Sequence, residues 1–225
     1  MRTLALETTE MVGSLALLAD SELIASRQLP AGQRTAATFA KGMKELLAEA
    51  DWRPNDLGLI AVCSGPGSFT GLRIGVTAAK TLAYATGAAI VAVNTLEVIA
   101  LGAGLETERL WVVMNAFRSQ VFAAQFDTSG NELSTLIETQ ILDAESWLGR
   151  LQAGDVVSGP MLSKLSDRVP EGITIGDPAR WSPTAANVGR WGFHRYQQGQ
   201  RDDLWQLAPN YFRKSAAEEQ LEQRD

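Results

Sequence analysis

Apolar residues alternate with small or polar ones in three runs near the start of the chain: Thr3 to Thr8, Val12 to Leu18 and Glu22 to Leu29. A period of two sends successive side chains to opposite faces, so each run predicts a strand. Ala19, Asp20 and Ser21 separate the last two runs and supply turn residues, which predicts a three-stranded antiparallel meander. The period then changes. Ala36, Phe39, Ala40, Met43, Leu46, Leu47 and Ala50 recur at helical spacing, with Lys41, Lys44, Glu45 and Glu49 off that stripe, and predict a helix over Thr35 to Ala50. A buried strand (Leu57 to Cys63), a helix (Thr70 to Ala85), a strand (Ala88 to Val93) and a short helix (Thr95 to Leu101) complete the order βββαβαβα.

From Arg109 the same order begins again. RLWVVMNA and SQVFAAQFD read as strands, DTSGN as a turn and ELSTLIETQIL as a third strand. A helix follows (Ala144 to Leu151), then a strand (Asp155 to Ser158), a helix (Met161 to Asp167), a strand (Gly172 to Ile175) and a helix (Thr184 to Gln198). The repeat is one of element order rather than of residues. Two such lobes joined near residue 106 predict an α/β chain of the actin-like (ASKHA) fold, built from ribonuclease-H-like lobes at 1–106 and, in reduced form, 107–199. Residues 200–225 are a C-terminal tail, and the polar, charged end SAAEEQLEQRD predicts that it is partly disordered.

Composition narrows the function classes. A chain of 225 residues with 45% apolar content can bury one large core or two small ones. Its 20 Lys+Arg and 26 Asp+Glu give a net charge of -6 with no basic run, which makes it a poor stand-alone binder of nucleic acid. Cys63, the single cysteine, lies in an apolar run and reads as a small buried side chain in a reducing, cytoplasmic setting. Thr81 to Leu105 is long enough for a membrane span, but Gly87, Asn94 and Glu97 interrupt it, and MRTLALETT lacks the features of an export signal. No membrane association is expected.

Candidate chemistry is sparse. Actin-like ATPases and sugar kinases grip nucleotide phosphates in a turn at the first hairpin of each lobe, with a strand-end carboxylate to place the metal or the attacking group. The first lobe offers Glu7, Thr8 and Thr9, which are the candidates for cofactor contact. The second offers Asn115-Ala116-Phe117-Arg118, with neither a carboxylate nor a glycine, so half of the clamp is missing and no cofactor is expected. There is no HExxH or CxxC, and the only histidine, His194 in RWGFHRYQQG, reads as packed among aromatic neighbours on a helix. No metal ligand and no catalytic residue is assigned.

The stretch CSGPGSFTGLRIG, Cys63 to Gly75, is more informative. Gly65, Gly67 and Gly71 are spaced GxGxxxG, one residue too long for a dinucleotide fingerprint, and no GxxxxGK[ST] fits. Gly65 and Gly67 suit a sharp strand-to-helix turn, with Ser68 or Thr70 as helix cap. Gly71, Gly75, Ala79 and Ala83 then recur every four residues as a ridge without bulk. Apolar and small residues cover about 200° of this helix, which predicts packing on two sides: its own sheet, and either another helix of the chain or a partner.

SGPGSFTGLRIGV, with ALETT near the N-terminus, VAVNTLEVIA after the helix and, more weakly, PNYFR at Pro209 to Arg213, resembles the TsaB (YeaZ) family. The resemblance implies an actin-like fold and a non-catalytic subunit of the bacterial machinery that makes threonylcarbamoyladenosine in tRNA. Family members resemble TsaD, the transferase, whose metal-binding HxxxH falls where Thr95 and Ile99 stand here. The implied partners are TsaD in a heterodimer, TsaE (a P-loop ATPase) on that heterodimer, a second copy when alone, and tRNA only through the complex. The implied interface is Gly71, Arg73, Ile74, Gly75, Ala78, Ala79 and Leu82, with Phe39 and Met43 on the preceding helix, and Gly75→Leu is expected to block docking without harming the fold. Many family members have aspartate where Glu7 and Asn115 stand. The alternative from another class is a small actin-like ATP-dependent phosphotransferase.

Overall fold

The computed structural model of the protein describes residues 1–30, 36–130 and 132–213. The expected helix start at Thr35, the turn residue Asn131 and the tail from Lys214 lie outside the described residues.

Among the described residues the strands form two five-stranded sheets of one topology. The first contains β1 (Arg2–Glu7), β2 (Ser14–Ala19), β3 (Glu22–Gln28), β4 (Leu59–Gly65) and β5 (Ala89–Asn94), in the order β3-β2-β1-β4-β5. β1 to β3 form the antiparallel meander, and β4 and β5 add in parallel. The second contains β6 (Leu110–Asn115), β7 (Gln120–Asp127), β8 (Ser134–Asp143), β9 (Val156–Ser158) and β10 (Thr174–Ile175), in the order β10-β9-β6-β7-β8. The helices are α1 (Ala36–Glu49), α2 (Phe69–Thr86), α3 (Thr95–Ala103), α4 (Ala144–Leu148), α5 (Leu162–Leu165) and α6 (Ala185–Gln197).

β4 starts two residues after the apolar run does. Pro54–Asp56 form a 3-10 turn that Leu57 closes by donating its N–H to the Pro54 carbonyl, so Leu57 is spent before the strand begins.

The strand periodicity accounts for four apolar layers. Leu4, Leu6, Leu15, Leu17, Ile60 and Val62 bury against α1 and α2, and their neighbours Ala5, Ala16, Leu18, Leu59, Ala61 and Cys63 bury against Ala185, Val188 and Phe193 of α6. In the second sheet, Val112, Met114, Phe122 and Phe126 meet Leu96, Ile99 and Ala100 of α3, whereas Trp111, Val113 and Val121 meet Trp147, Leu162 and Leu165 of α4 and α5.

The closing helices are exchanged between the lobes. α6 ends the second repeat but covers β1, β2, β4 and β5 of the first sheet, while α3 ends the first repeat and covers β6 and β7 of the second. A helix's periodicity states which face is apolar, not which sheet will take it. Glycines let α6 come close to its sheet: a Cβ on Gly192 would lie 2.5 Å from the Ala61 Cβ, and one on Gly189 2.2 Å from Leu18 Cδ1. The division at residue 106 is one of chain order, and each sheet is completed by the other segment's helix.

The described part of the C-terminal tail is fixed. The Asp202 N–H donates to the Ile90 carbonyl (3.0 Å), and Lys80 Nζ donates to the carbonyl of Leu207 (2.8 Å). Asn210 N–H donates to the Ser64 carbonyl at 2.7 Å. The tail then crosses to the second lobe, where Phe212 meets Phe122 edge-on at 6.1 Å. Its partners are more than 80 residues away along the chain, beyond the reach of any local pattern.

Candidate functional site

α2 begins where expected, with Ser68 as its cap: Ser68 Oγ accepts the Gly71 N–H at 3.4 Å. The glycine ridge does not face outward. Gly71, Gly75, Ala79 and Ala83 are buried, and a Cβ on Gly71 would lie 1.8 Å from the Thr8 carbonyl oxygen. On Gly75 it would lie 2.3 Å from Thr8 Oγ1. The Thr8 hydroxyl donates to the Gly71 carbonyl at 2.8 Å, and Ser68 N–H donates to the Thr9 carbonyl at 2.8 Å. The room that the glycines clear is therefore filled by the chain's own first turn. Gly71, Gly75 and Ala79 are corrected from interface residues to internal packing residues.

The neighbouring stripe is open. Ile74, Ala78 and Leu82, one step round the helix from the ridge, join Phe39 and Met43 of α1 along a groove of about 440 Å³. Arg73, Thr77, Thr81 and Ala40 complete its walls, and Arg73 is the charged side chain among these described lining residues. Of the expected interface, Arg73, Ile74, Ala78, Leu82, Phe39 and Met43 are brought together. Ala40, Thr77 and Thr81 were missed, although Thr77 and Thr81 stand three and seven residues after Ile74, the spacing of one helix face. Beside the groove, Tyr84 (70% exposed) meets Trp205 (74% exposed) edge-on at 5.7 Å.

The first strand-end turn is closed on itself. Glu7 is wholly buried, and its Oε1 accepts both the Thr9 N–H and the Thr9 hydroxyl at 2.5 Å, while Oε2 has no partner. Burial, assisted by the nearby charge of Glu10 and opposed by the Thr9 bonds, pushes its carboxyl up to about 7. Burial first, and the Glu7 charge second, push the Cys63 thiol well up. Thr8 and Thr9 are buried as well.

The second turn is also packed by the chain itself. Asn115 Oδ1 accepts the Phe117 N–H at 2.9 Å, and Phe117, Arg118 and Ser119 have φ of 61, 50 and 60°. Arg213 donates to the Ala116 carbonyl at 2.7 Å. Thr95 and Ile99 are buried in α3, and His194 stacks on Trp191 at 4.9 Å. Among the described residues no group of three or more His, Cys, Asp or Glu side chains could hold a metal ion, and no helix is long and apolar enough to cross a membrane.

The family described as TsaD, tRNA N6-adenosine threonylcarbamoyltransferase, matches residues 31–176. Over 97% of its length, and 96% of the relative's, the chain is 28% identical to the tRNA threonylcarbamoyladenosine biosynthesis protein TsaB of Bacillus subtilis. The chain belongs to this family, in its TsaB (YeaZ) branch. TsaB of Escherichia coli is 26% identical over 98% of both chains. YeaZ from Pseudomonas aeruginosa superposes with a TM-score of 0.80 at 23% identity, over 93% of this chain and 99% of that one, and so shares its fold. The TsaB fold seen here is actin-like, as the doubled βββαβαβα order predicts.

Proposed function

We propose that this TsaB-family chain is a non-catalytic subunit that docks a TsaD-type transferase in the groove between α1 and α2. Docking keeps the transferase in the shape that moves a threonylcarbamoyl group onto N6 of the adenosine 3′ of the anticodon in ANN-decoding tRNAs. The groove carries this reading: it is apolar, open and rimmed by one charged side chain among the described residues. The TsaD family match spans both helices that form it, so a TsaD chain offers a counterpart face and the two can pair about a pseudo-twofold axis. A second copy fills the same groove when TsaD is absent, TsaE joins the heterodimer, and tRNA is reached through the complex in the cytoplasm. Against the phosphotransferase alternative stands Glu7, whose carboxyl is buried and bonded to its own Thr9 rather than presented to a nucleotide.

Ala78→Arg tests this directly, because Ala78 lines the groove and is only partly buried in the free chain. Its affinity for the TsaD of the same organism is expected to fall by roughly 100-fold, as for a charge placed at the centre of an apolar interface, with an unchanged thermal midpoint. Co-purification at parental yield would sink the docking assignment. Nucleoside mass spectrometry of cells carrying the variant should show reduced threonylcarbamoyladenosine.

A further inference from the structure

The segment Pro209 to Arg213 touches both lobes and the rim of the groove within five residues. On the first lobe, Asn210 N–H donates to the Ser64 carbonyl at 2.7 Å, and the Asn210 carbonyl presses so close that a Cβ on Gly65 would lie 2.5 Å from it. On α2, the Tyr211 ring stacks on Phe69 at 4.2 Å and 16°, and its hydroxyl accepts from Arg73 Nε at 3.0 Å. The Arg73 guanidinium also lies 4.4 Å over the Phe69 ring. On the second lobe, Phe212 packs into the apolar layer between α3 and the sheet. Arg213 bonds the β6–β7 turn through the Ala116 carbonyl (2.7 Å) and the Gln120 side chain.

Five residues span about 17 Å at full stretch, so this segment cannot keep its hold on both lobes if they move apart. The turn that it grips has reason to be held from outside. Phe117, Arg118 and Ser119 occupy the left-handed region in succession, a conformation that non-glycine residues adopt only under constraint. The lobes are also tied by the exchanged helices: α6 packs on the first sheet and on α3, and α3 packs on the second sheet. Trp191 Nε1 donates to Glu97 Oε2 at 2.7 Å, Ala185 N–H donates to Ser14 Oγ at 2.9 Å, and Asn94 Nδ2 donates to Thr139 Oγ1 at 3.0 Å.

We propose that Pro209 to Arg213 form a clasp that, together with the exchanged helices, holds the angle between the two lobes, with Arg73 as its catch. Arg73 is at once part of the Tyr211–Phe69 stack and part of the groove wall. A chain seated in the groove that engages this guanidinium loosens the clasp, and the interlobe angle and groove occupancy are linked reciprocally. The clasp stands independently of which protein occupies the groove.

Hydrogen exchange read by mass spectrometry on the full chain alone tests it. Arg73→Ala removes the catch and Phe212→Ala removes the foot on the second lobe. Each is expected to speed exchange roughly 10-fold in the strap and in the β6–β7 turn, the response of a locally opened segment, while β1 to β3 exchange as in the parent. Parental exchange in the turn for Arg73→Ala overturns the proposal. So does acceleration of every segment together, which would make Arg73 a general stabilising residue. Loss of co-purification reports on docking and not on the clasp, so the two readings fail separately.

Discussion

A single methyl group at Gly71 is expected to cost about 3 kcal/mol or more of unfolding free energy, the upper range for an overpacked core site. The added Cβ would lie 1.8 Å from the Thr8 carbonyl oxygen, a backbone atom with no rotamer to change. The turn cannot recede easily, because the Thr8 hydroxyl, the Thr9 carbonyl and the Glu7 carboxyl tie it to α2 and to itself. Gly149→Ala is the control: its Cβ would meet nothing closer than 3.5 Å, and φ is -68°. Urea unfolding should separate the two variants clearly. A Gly71→Ala midpoint equal to the parent's would mean that the first turn is not rigid. By the same geometry Gly75→Leu damages the fold before it can report on docking, which corrects the expectation that this position is fold-neutral.

Stability is expected to fall as pH rises from about 4.5 to about 7, and Glu7→Gln should remove that fall. Glu7 has its carboxyl raised from 4.5 to about 7 in the folded chain. Between those values the native state holds a proton that the unfolded chain has released, so unfolding is progressively favoured across the window and no further above it. A difference of about 2.5 corresponds to on the order of 3 kcal/mol at neutral pH and above. Glutamine keeps an acceptor for the two Thr9 bonds and cannot ionise, so the variant should be more stable than the parent at pH 8 and similar to it at pH 4. Urea midpoints taken at each pH unit decide this, and parallel profiles for parent and variant would remove Glu7 as the source.

The two predictions rest on the same turn, which was legible in the sequence only in part. The apolar and small residues that run through β1, β2, β6 and β7 located those strands because central strands buried on both faces need such residues at nearly every position. The wide apolar arc of α2 is only partly buried: Gly71, Leu72, Gly75, Val76, Ala79 and Ala83 are buried, and the stripe of Ile74, Ala78 and Leu82 lies open along the groove. Its small residues marked a close approach without naming what approached. That was Thr8, 63 residues upstream of the Gly71 carbonyl to which it bonds. The open stripe at Ile74, Ala78 and Leu82 lies within the apolar arc read from periodicity, but periodicity alone did not say what would cover it, and its place in an interface came with the resemblance. Tyr211 and Arg73 are joined across 138 residues, and Gly192 lets α6 come close to Ala61. Neither relation leaves a local trace.

The exchange of α3 and α6 sets an order on the birth of the molecule. Chains grow from the N-terminus, and segments that can fold tend to do so as they emerge. The first sheet has all five of its strands once residue 94 is out, yet one whole face, with Ala5, Ala16, Leu18, Leu59 and Ala61, waits for the helix at Ala185–Gln197. For about ninety residues of synthesis, that face must be shielded by something other than its native cover. The first half of this protein is therefore finished late, by the last of the described helices to leave the ribosome.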